Sequence, residues 1–178
     1  VEGTLLVSEE EVLERRLVTG LTYSKNEAQI TLRQVPDTPG IAANIFQPLT
    51  DAEINVDMIV QNISHATDAT DMTFTVSKTD VDRAQAVLNN AKETIQFSGI
   101  DIDEDVSKIS VVGVGMRSHA GIAQKMFRTL AQKGINIKVI TTSEIKISVL
   151  IQSEHTALAL KALHTAYELD SDSVVEVP

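Results

Sequence analysis

Two turns hold the residues best suited to binding something small. In DTPG at 37–40, Asp37 stands three residues ahead of Gly40, with Pro39 between them, at the start of a stretch with helical spacing. A helix start exposes unpaired backbone N–H groups and the positive end of the helix dipole. A carboxylate would be held there, Asp37 would take an ammonium group, and Gly40 lets a ligand come close to the backbone. The turn therefore matches the two charged ends of a free amino acid. The plainer alternative is that Asp37, or Thr38, caps the helix and Gly40 relieves crowding in a tight turn. A second turn, MRSHAGIA from Met116, keeps a glycine at Gly121 but has Ser118 where Asp37 stood, so its ligand preference differs.

Other chemistries find little support. There is no cysteine, which removes disulfides, thiolate nucleophiles and cysteine-type zinc sites. His65, His119, His155 and His164 are too scattered for a compact metal motif. Adjacency of Ser118 and His119 does not amount to a base activating a nucleophile. GVGMRSHAG has Ser118 where a dinucleotide fingerprint needs glycine. DIDED from Asp101 opens like a calcium loop, but Val106 and Val112 replace its turn glycine and terminal glutamate, so a solvated edge strand is expected. Asn62, Ile63 and Ser64 match a glycosylation acceptor that an intracellular chain would not use. No catalytic set emerges.

The elements that position the turns come in two copies. Displaced by 81 positions, Gly40, Ile41, Ala42, Phe46, Leu49, Ile54, Asn55 and Ile59 fall on Gly121, Ile122, Ala123, Phe127, Leu130, Ile135, Asn136 and Ile140 without a gap. In the first copy Ala28, Ile30 and Leu32 alternate with polar residues as in a half-buried strand, and Ile41, Ile45, Phe46 and Leu49 then mark a helix. A second strand is predicted over 55–63. Met72, Phe74 and Val76 mark a third, Val81, Ala84, Leu88, Ala91 and Ile95 a second helix, and Ile100 and Ile102 a short last strand. The order is βαββαβ, which covers one sheet face with helices. The second copy repeats it through 109–114, 122–133, 135–142, 145–151 and 155–169, but lacks a fourth strand.

The fold class is therefore α+β: two ferredoxin-like βαββαβ domains, the first inserted into the second. Residues 1–15 read as linker with a charged helical turn, 16–24 as the strand completing the second domain, 26–105 as the first domain, 106–170 as the second and 171–178 as an acidic tail. The rival for the missing strand is 174–177.

VTGLTYSKNEAQITLRQVPDTPGIAANIF, INVDMIVQNIS, VGVGMRSHAGIAQKMF and INIKVITTSEIKISVLI together resemble the regulatory region of aspartokinases, a pair of ACT domains, over residues 15–169. GTL near the start looks like the end of the kinase catalytic domain, whose nucleotide and aspartate motifs are absent. The resemblance is thus to the separate β subunit or to a regulatory fragment, and a start at Val1 fits a fragment or processed product. It implies lysine, threonine or both as feedback effectors, ACT domains of two chains pairing as a homodimer, and a catalytic subunit that alone handles ATP, giving a heterotetramer. This chain would need no cofactor and perform no catalysis.

By position, the resemblance implies a first effector site of Asp37, Thr38, Pro39, Gly40, Ile41, Ala42 and Gln61, with Asn136 and Ile137 from the partnering domain. A second would use Met116, Ser118, His119, Gly121, Ile122, Ala123, Ser143 and Glu144, with Asn55, Val56 and Asp57 opposite. Ser64 and Thr73 match positions where feedback is tuned. Ala120 replaces a common family proline, and Ala123 lacks a hydroxyl that some relatives carry.

Composition agrees with a cytoplasmic sensor. The 178 residues include 25 acidic and 15 basic ones, for a net charge of -10, and the basic residues do not cluster along the chain. Nucleic acid and anionic membranes are poor partners for such a chain. No apolar run nears the roughly 20 residues needed to span a bilayer, and no secretory signal is present. Alternatives are an ACT protein regulating a different enzyme, or a ferredoxin-like RNA-binding module. The latter needs exposed aromatics and a basic face, where this chain has Ile30, Leu32, Met72 and Phe74.

Overall fold

The structure, a computed structural model, describes residues 17–63, 68–114, 120–169 and 174–178. Its elements in chain order are β1 (Val18–Pro36), α1 (Ile41–Asp51), β2 (Asp57–Ile63), β3 (Ala69–Val76), α2 (Val81–Asn90), α3 (Lys92–Ile95), β4 (Gly99–Gly113), α4 (Ala120–Gln132), β5 (Ile137–Thr142), β6 (Lys146–Gln152), α5 (Thr156–Ala166) and β7 (Val174–Glu176). A single 3-10 turn precedes each of α2 and α5. The chain divides into two compact units, Asn26–Val106 and the segments on either side of it, Val1–Lys25 with Ser107–Pro178. The first is inserted into the second, here called the host unit.

In the inserted unit the strands run β2-β3-β1-β4, the order of a ferredoxin-like sheet. The antiparallel register of β1 and β3 sets Ala28 against Val76, Ile30 against Phe74 and Leu32 against Met72. Strand alternation sends these six to one face, where they are buried with Ile45 and Leu49 of α1 and Ala84 and Leu88 of α2. Each of the larger side chains among them, from valine up to phenylalanine, contributes roughly 1.5–3 kcal/mol when removed from water. Phe46 meets the edge of Phe74 with ring centroids 5.3 Å apart. The opposite face is polar: Gln29 pairs with Thr75 and Thr31 with Thr73. The Thr31 and Thr73 hydroxyls lie 2.9 Å apart. Ser98 N–H donates to Arg33 C=O at 2.8 Å, fastening the start of β4 beside β1.

The host unit follows the same plan with strand order β1-β4-β6-β5. Residues 18–25 of β1 take the fourth-strand place, and Val114 N–H donates to Leu17 C=O at 2.9 Å at the far end of β4. β7 also pairs with β1, in parallel, through Leu21 with Val174, Thr22 with Val175 and Tyr23 with Glu176. Both stretches that competed for the missing strand are therefore in the sheet, as different strands. The core gathers Val18, Leu21, Ile109, Val111, Ile122, Met126, Leu130, Val149 and Leu163. Ser110 and Ser148 bond at 2.6 Å, and Thr156 donates to Ser107 at 2.8 Å. Buried hydroxyls thus satisfy one another, as burial of polar groups requires.

Local details depart from the sequence expectation. β1 and β4 are single strands of 19 and 15 residues, not pairs of short strands ending near positions 25 and 105. The helix predicted through Ile95 breaks at Ala91 into α2 and α3. Gly40, not Asp37 or Thr38, is the N-cap of α1, with no side-chain cap bond.

Candidate functional site

The first turn is built by a twist at the end of β1. Gln34 has φ 53°, the pairing slips between Leu32 and Val35, and Gln34 N–H donates to Asp71 Oδ1 at 2.8 Å. Asp37 N–H then bonds to Asp68 C=O at 3.1 Å, Thr38 N–H to Pro36 C=O at 3.0 Å and Ile41 N–H to Thr38 C=O at 3.2 Å. Gly40 sits at φ 92°, a left-handed conformation that L side chains rarely adopt. A Cβ there would meet nothing within 4 Å, so the demand for glycine is conformational, not steric.

The turn then meets the adjoining strands. Gln61 of β2 donates through Nε2 to Asp37 Oδ1 at 3.3 Å, joining two predicted site residues that are far apart in sequence. Thr38, Pro39, Gly40 and Ala42 are exposed beside them, while Ile41 is buried in the core and anchors the turn. The turn therefore carries an exposed carboxylate, held by a primary amide, a few residues ahead of the first amides of α1. Such a turn can take an ammonium on Asp37 and a carboxylate on the helix start.

In the host unit Met116, Ser118 and His119 lie outside the described residues, as does Ser64 of the inserted unit. Gly121, Ile122 and Ala123 form the first turn of α4, and the Tyr167 hydroxyl donates to Ile122 C=O at 2.5 Å. Ser143 shapes the β5–β6 hairpin: its N–H donates to Lys146 C=O at 2.8 Å, and its Oγ accepts from Lys146 N–H at 3.2 Å. Gly113 N–H bonds to Ile145 C=O at 2.8 Å, which brings the hairpin beside the end of β4. Glu144 is exposed.

The residues predicted to lie opposite occupy equivalent places in the two units. Exposed Asn55 leads into β2 through Val56 and Asp57, and exposed Asn136 leads into β5 at Ile137. Both strands are sheet edges. Both are also bulged, between Asp57 and Val60 and between Ile137 and Val139. Asp57 Oδ1 accepts from Met58 N–H at 2.8 Å, with Met58 at φ 49°. Ile59 and Ile140 are 48% and 45% exposed. The repeat aligned this pair, but alignment alone carried no sign that both are uncovered. Thr73 is buried, unlike the exposed turn residues.

The ACT-domain family matches the chain twice, over residues 33–91 and 109–167. An aspartate kinase of Pseudomonas fluorescens (strain SBW25) is 49% identical over 170 residues, which is 95% of this chain and 41% of that protein. The chain thus spans about two fifths of the length of such curated relatives. A crystal structure of aspartokinase alpha and beta subunits superposes with a TM-score of 0.79 at 48% identity, covering 85% of this chain and 99% of that one. The ligand-free regulatory subunit of aspartate kinase from Thermus thermophilus gives 0.80 at 40% identity, covering 84% and 98%. Carrying two ACT domains, the first inserted into the second, the chain belongs to the ACT family in the form found in aspartokinase regulatory subunits.

Proposed function

We propose that the chain is the amino-acid-sensing regulatory part of an aspartate kinase and that it binds lysine, threonine or both. The Gln61–Asp37 bond carries this reading, because it holds a carboxylate in place beside the exposed start of α1. The effector's ammonium meets Asp37, and its carboxylate meets the Ala42 and Ala43 amides, since Ile41 N–H is already given to Thr38 C=O. In a homodimer, the edge strand of a partnering domain closes over this turn with Asn136 and Ile137, or over the second turn with Asn55, Val56 and Asp57. The second turn uses Met116, Ser118, His119, Gly121, Ile122, Ala123, Ser143 and Glu144. A ligand held between two domains binds only their closed arrangement and shifts the population toward it. In a heterotetramer with catalytic subunits, that closure lowers kinase activity.

Catalysis and ATP binding belong to the catalytic subunit, and the complex works in the cytoplasm. Among the described residues no helix is long and apolar enough to cross a membrane.

Calorimetry with lysine and threonine, singly and together, tests the reading. Heat of binding for at least one, with affinity lowered about tenfold or more in Asp37→Asn, is expected. Silence toward both at millimolar concentration sinks it.

A further inference from the structure

The gap between the helices is bridged in the inserted unit. Arg83 Nη2 of α2 donates to Ala52 C=O at the end of α1 at 2.9 Å, and it pairs with Asp80 at 3.4 Å. Displacement by 81 places Lys133 on Ala52, and matching the 3-10 turns ahead of α2 and α5, Lys78–Asp80 with Ser153–His155, places Leu158 on Arg83 and His155 on Asp80. The Arg83 bridge therefore has no counterpart at these positions of the host unit. There α4 and α5 leave an open groove of about 380 Å³ lined by Thr129, Lys133, Leu158, Lys161, Ala162 and Thr165, among others. Leu158 is 43% exposed.

Charge divides the same way. Residues 120–133 and 156–166 carry Lys125, Arg128, Lys133 and Lys161 and no aspartate or glutamate, in a chain of net charge -10. The corresponding helices of the inserted unit include Asp51 and Asp82. Cations that are dispersed along the sequence are thus gathered on one helical layer by the fold. Neither Lys133 nor Lys161 has an ion-pair partner among the described residues. The Thr129 and Thr165 hydroxyls are spent on carbonyls of their own helices, at 2.7 and 3.1 Å. That leaves the two ammonium groups as the charged donors of the groove.

An apolar floor with cations on its walls fits a ligand that is apolar between anionic groups. We propose that the groove docks an acidic segment of another protein, which lays an aliphatic side chain over Leu158 and Ala162 and sets carboxylates against Lys133 and Lys161. A phosphate polymer would satisfy the lysines but leave Leu158 uncovered. The proposal stands apart from the effector turns, since none of their residues lines the groove.

The test is a titration of the isotope-labelled chain, followed by amide chemical shifts, with a short amphipathic peptide of glutamate and leucine. Shifts centred on Thr129, Leu158, Ala162 and Thr165 are expected, with affinity falling about tenfold in Lys133→Glu/Lys161→Glu. If that variant does not fold, Lys133→Gln/Lys161→Gln replaces it. Leu158→Gln should weaken the peptide severalfold and leave heparin binding unchanged. Shifts scattered away from the groove, a double variant that binds like the parent, or heparin perturbing the same amides at least as tightly would each overturn the proposal.

Discussion

The inserted unit is drawn from one unbroken stretch, Asn26–Val106, whereas the host unit is assembled from two. Both have the same strand order and the same helical layer, yet the inserted unit supplies its own fourth strand from β4, while the host borrows residues 18–25 from ahead of the insertion. The borrowed strand is not peripheral. Val18 and Leu21 are 4% and 0% exposed and pack with Ile109, Val111 and Leu163. A contiguous unit has all its core contacts within reach of its own chain. A divided one depends on closing the loop around its guest, at an entropy cost that grows only slowly with loop length. The two units should therefore respond unequally to the same kind of damage.

Deletion of residues 1–24 is the severest way to press on that inequality. It removes Val18, Leu21 and the strand that flanks both β4 and β7, so the host unit should lose its cooperative melting transition while the inserted unit keeps its own. Calorimetry and amide spectra would follow the two separately, and a truncated chain that melts like the parent would show that the borrowed strand is dispensable. Next in size is a core pair. Phe74 and Val149 fall at equivalent places, but Phe74 also holds the edge contact with Phe46. Phe74→Ala should cost about 3–5 kcal/mol, and Val149→Ala roughly 1.5–3 kcal/mol, read from chemical denaturation. Equal losses would mean that neither the larger side chain nor its ring contact adds to the core.

Both units were legible in the sequence because their helices and central strands keep clean periods: Ala28, Ile30 and Leu32 alternate, and Val81, Ala84 and Leu88 recur at helical spacing. The DTPG turn was legible for a similar reason, since proline and glycine punctuate the chain regardless of tertiary context. What failed was continuity. Ser24 and Glu27 look like a polar break, yet they are 0% and 6% exposed inside β1. Burial of such residues depends on contacts distant in sequence, which no local window contains. The same limit hid the Gln61–Asp37 bond, made between positions 24 residues apart, and the cationic helical layer, whose lysines come from two separate segments.

A gentler probe compares one position across the repeat. After α1, Glu53 N–H bonds to Thr50 C=O at 2.9 Å and Ile54 N–H to Leu49 C=O at 2.9 Å; after α4, Gly134 N–H bonds to Ala131 C=O at 2.9 Å and Ile135 N–H to Leu130 C=O at 3.0 Å. These are the same helix-ending pair of bonds, and both units set the turning residue left-handed, Glu53 at φ 57° and Gly134 at φ 70°. Glycine adopts that conformation freely, whereas other L residues pay about 1–2 kcal/mol. Glu53→Gly should therefore stabilise the inserted unit by about 1 kcal/mol, and Gly134→Ala should destabilise the host by a similar amount. Matched shifts of opposite sign in the two transitions are expected, and shifts of the same sign would show that the caps are not equivalent.

The smallest expected effect concerns the strand that only the host unit has. β7 is tied to β1 by Val177 N–H donating to Tyr23 C=O at 2.7 Å and by the Tyr23 hydroxyl donating to Glu176 Oε2 at 3.0 Å. That hydrogen bond, then desolvation and the carboxylate's charge, raise the Tyr23 pKa above its ordinary 10.0. The phenol donates only while protonated. With the folded pKa above the unfolded one, the tie contributes fully below about pH 10 and is lost as pH rises through the folded value. The Tyr23–Glu176 bond is exposed to solvent, so the consequence is local: β7 amides should exchange faster in strong alkali, while the ladder of β4 and β6 stays protected. Ultraviolet titration of Glu176→Gln should show the Tyr23 phenolate forming at lower pH than in the parent, and an unchanged titration would mean that Glu176 does not hold the phenol in solution.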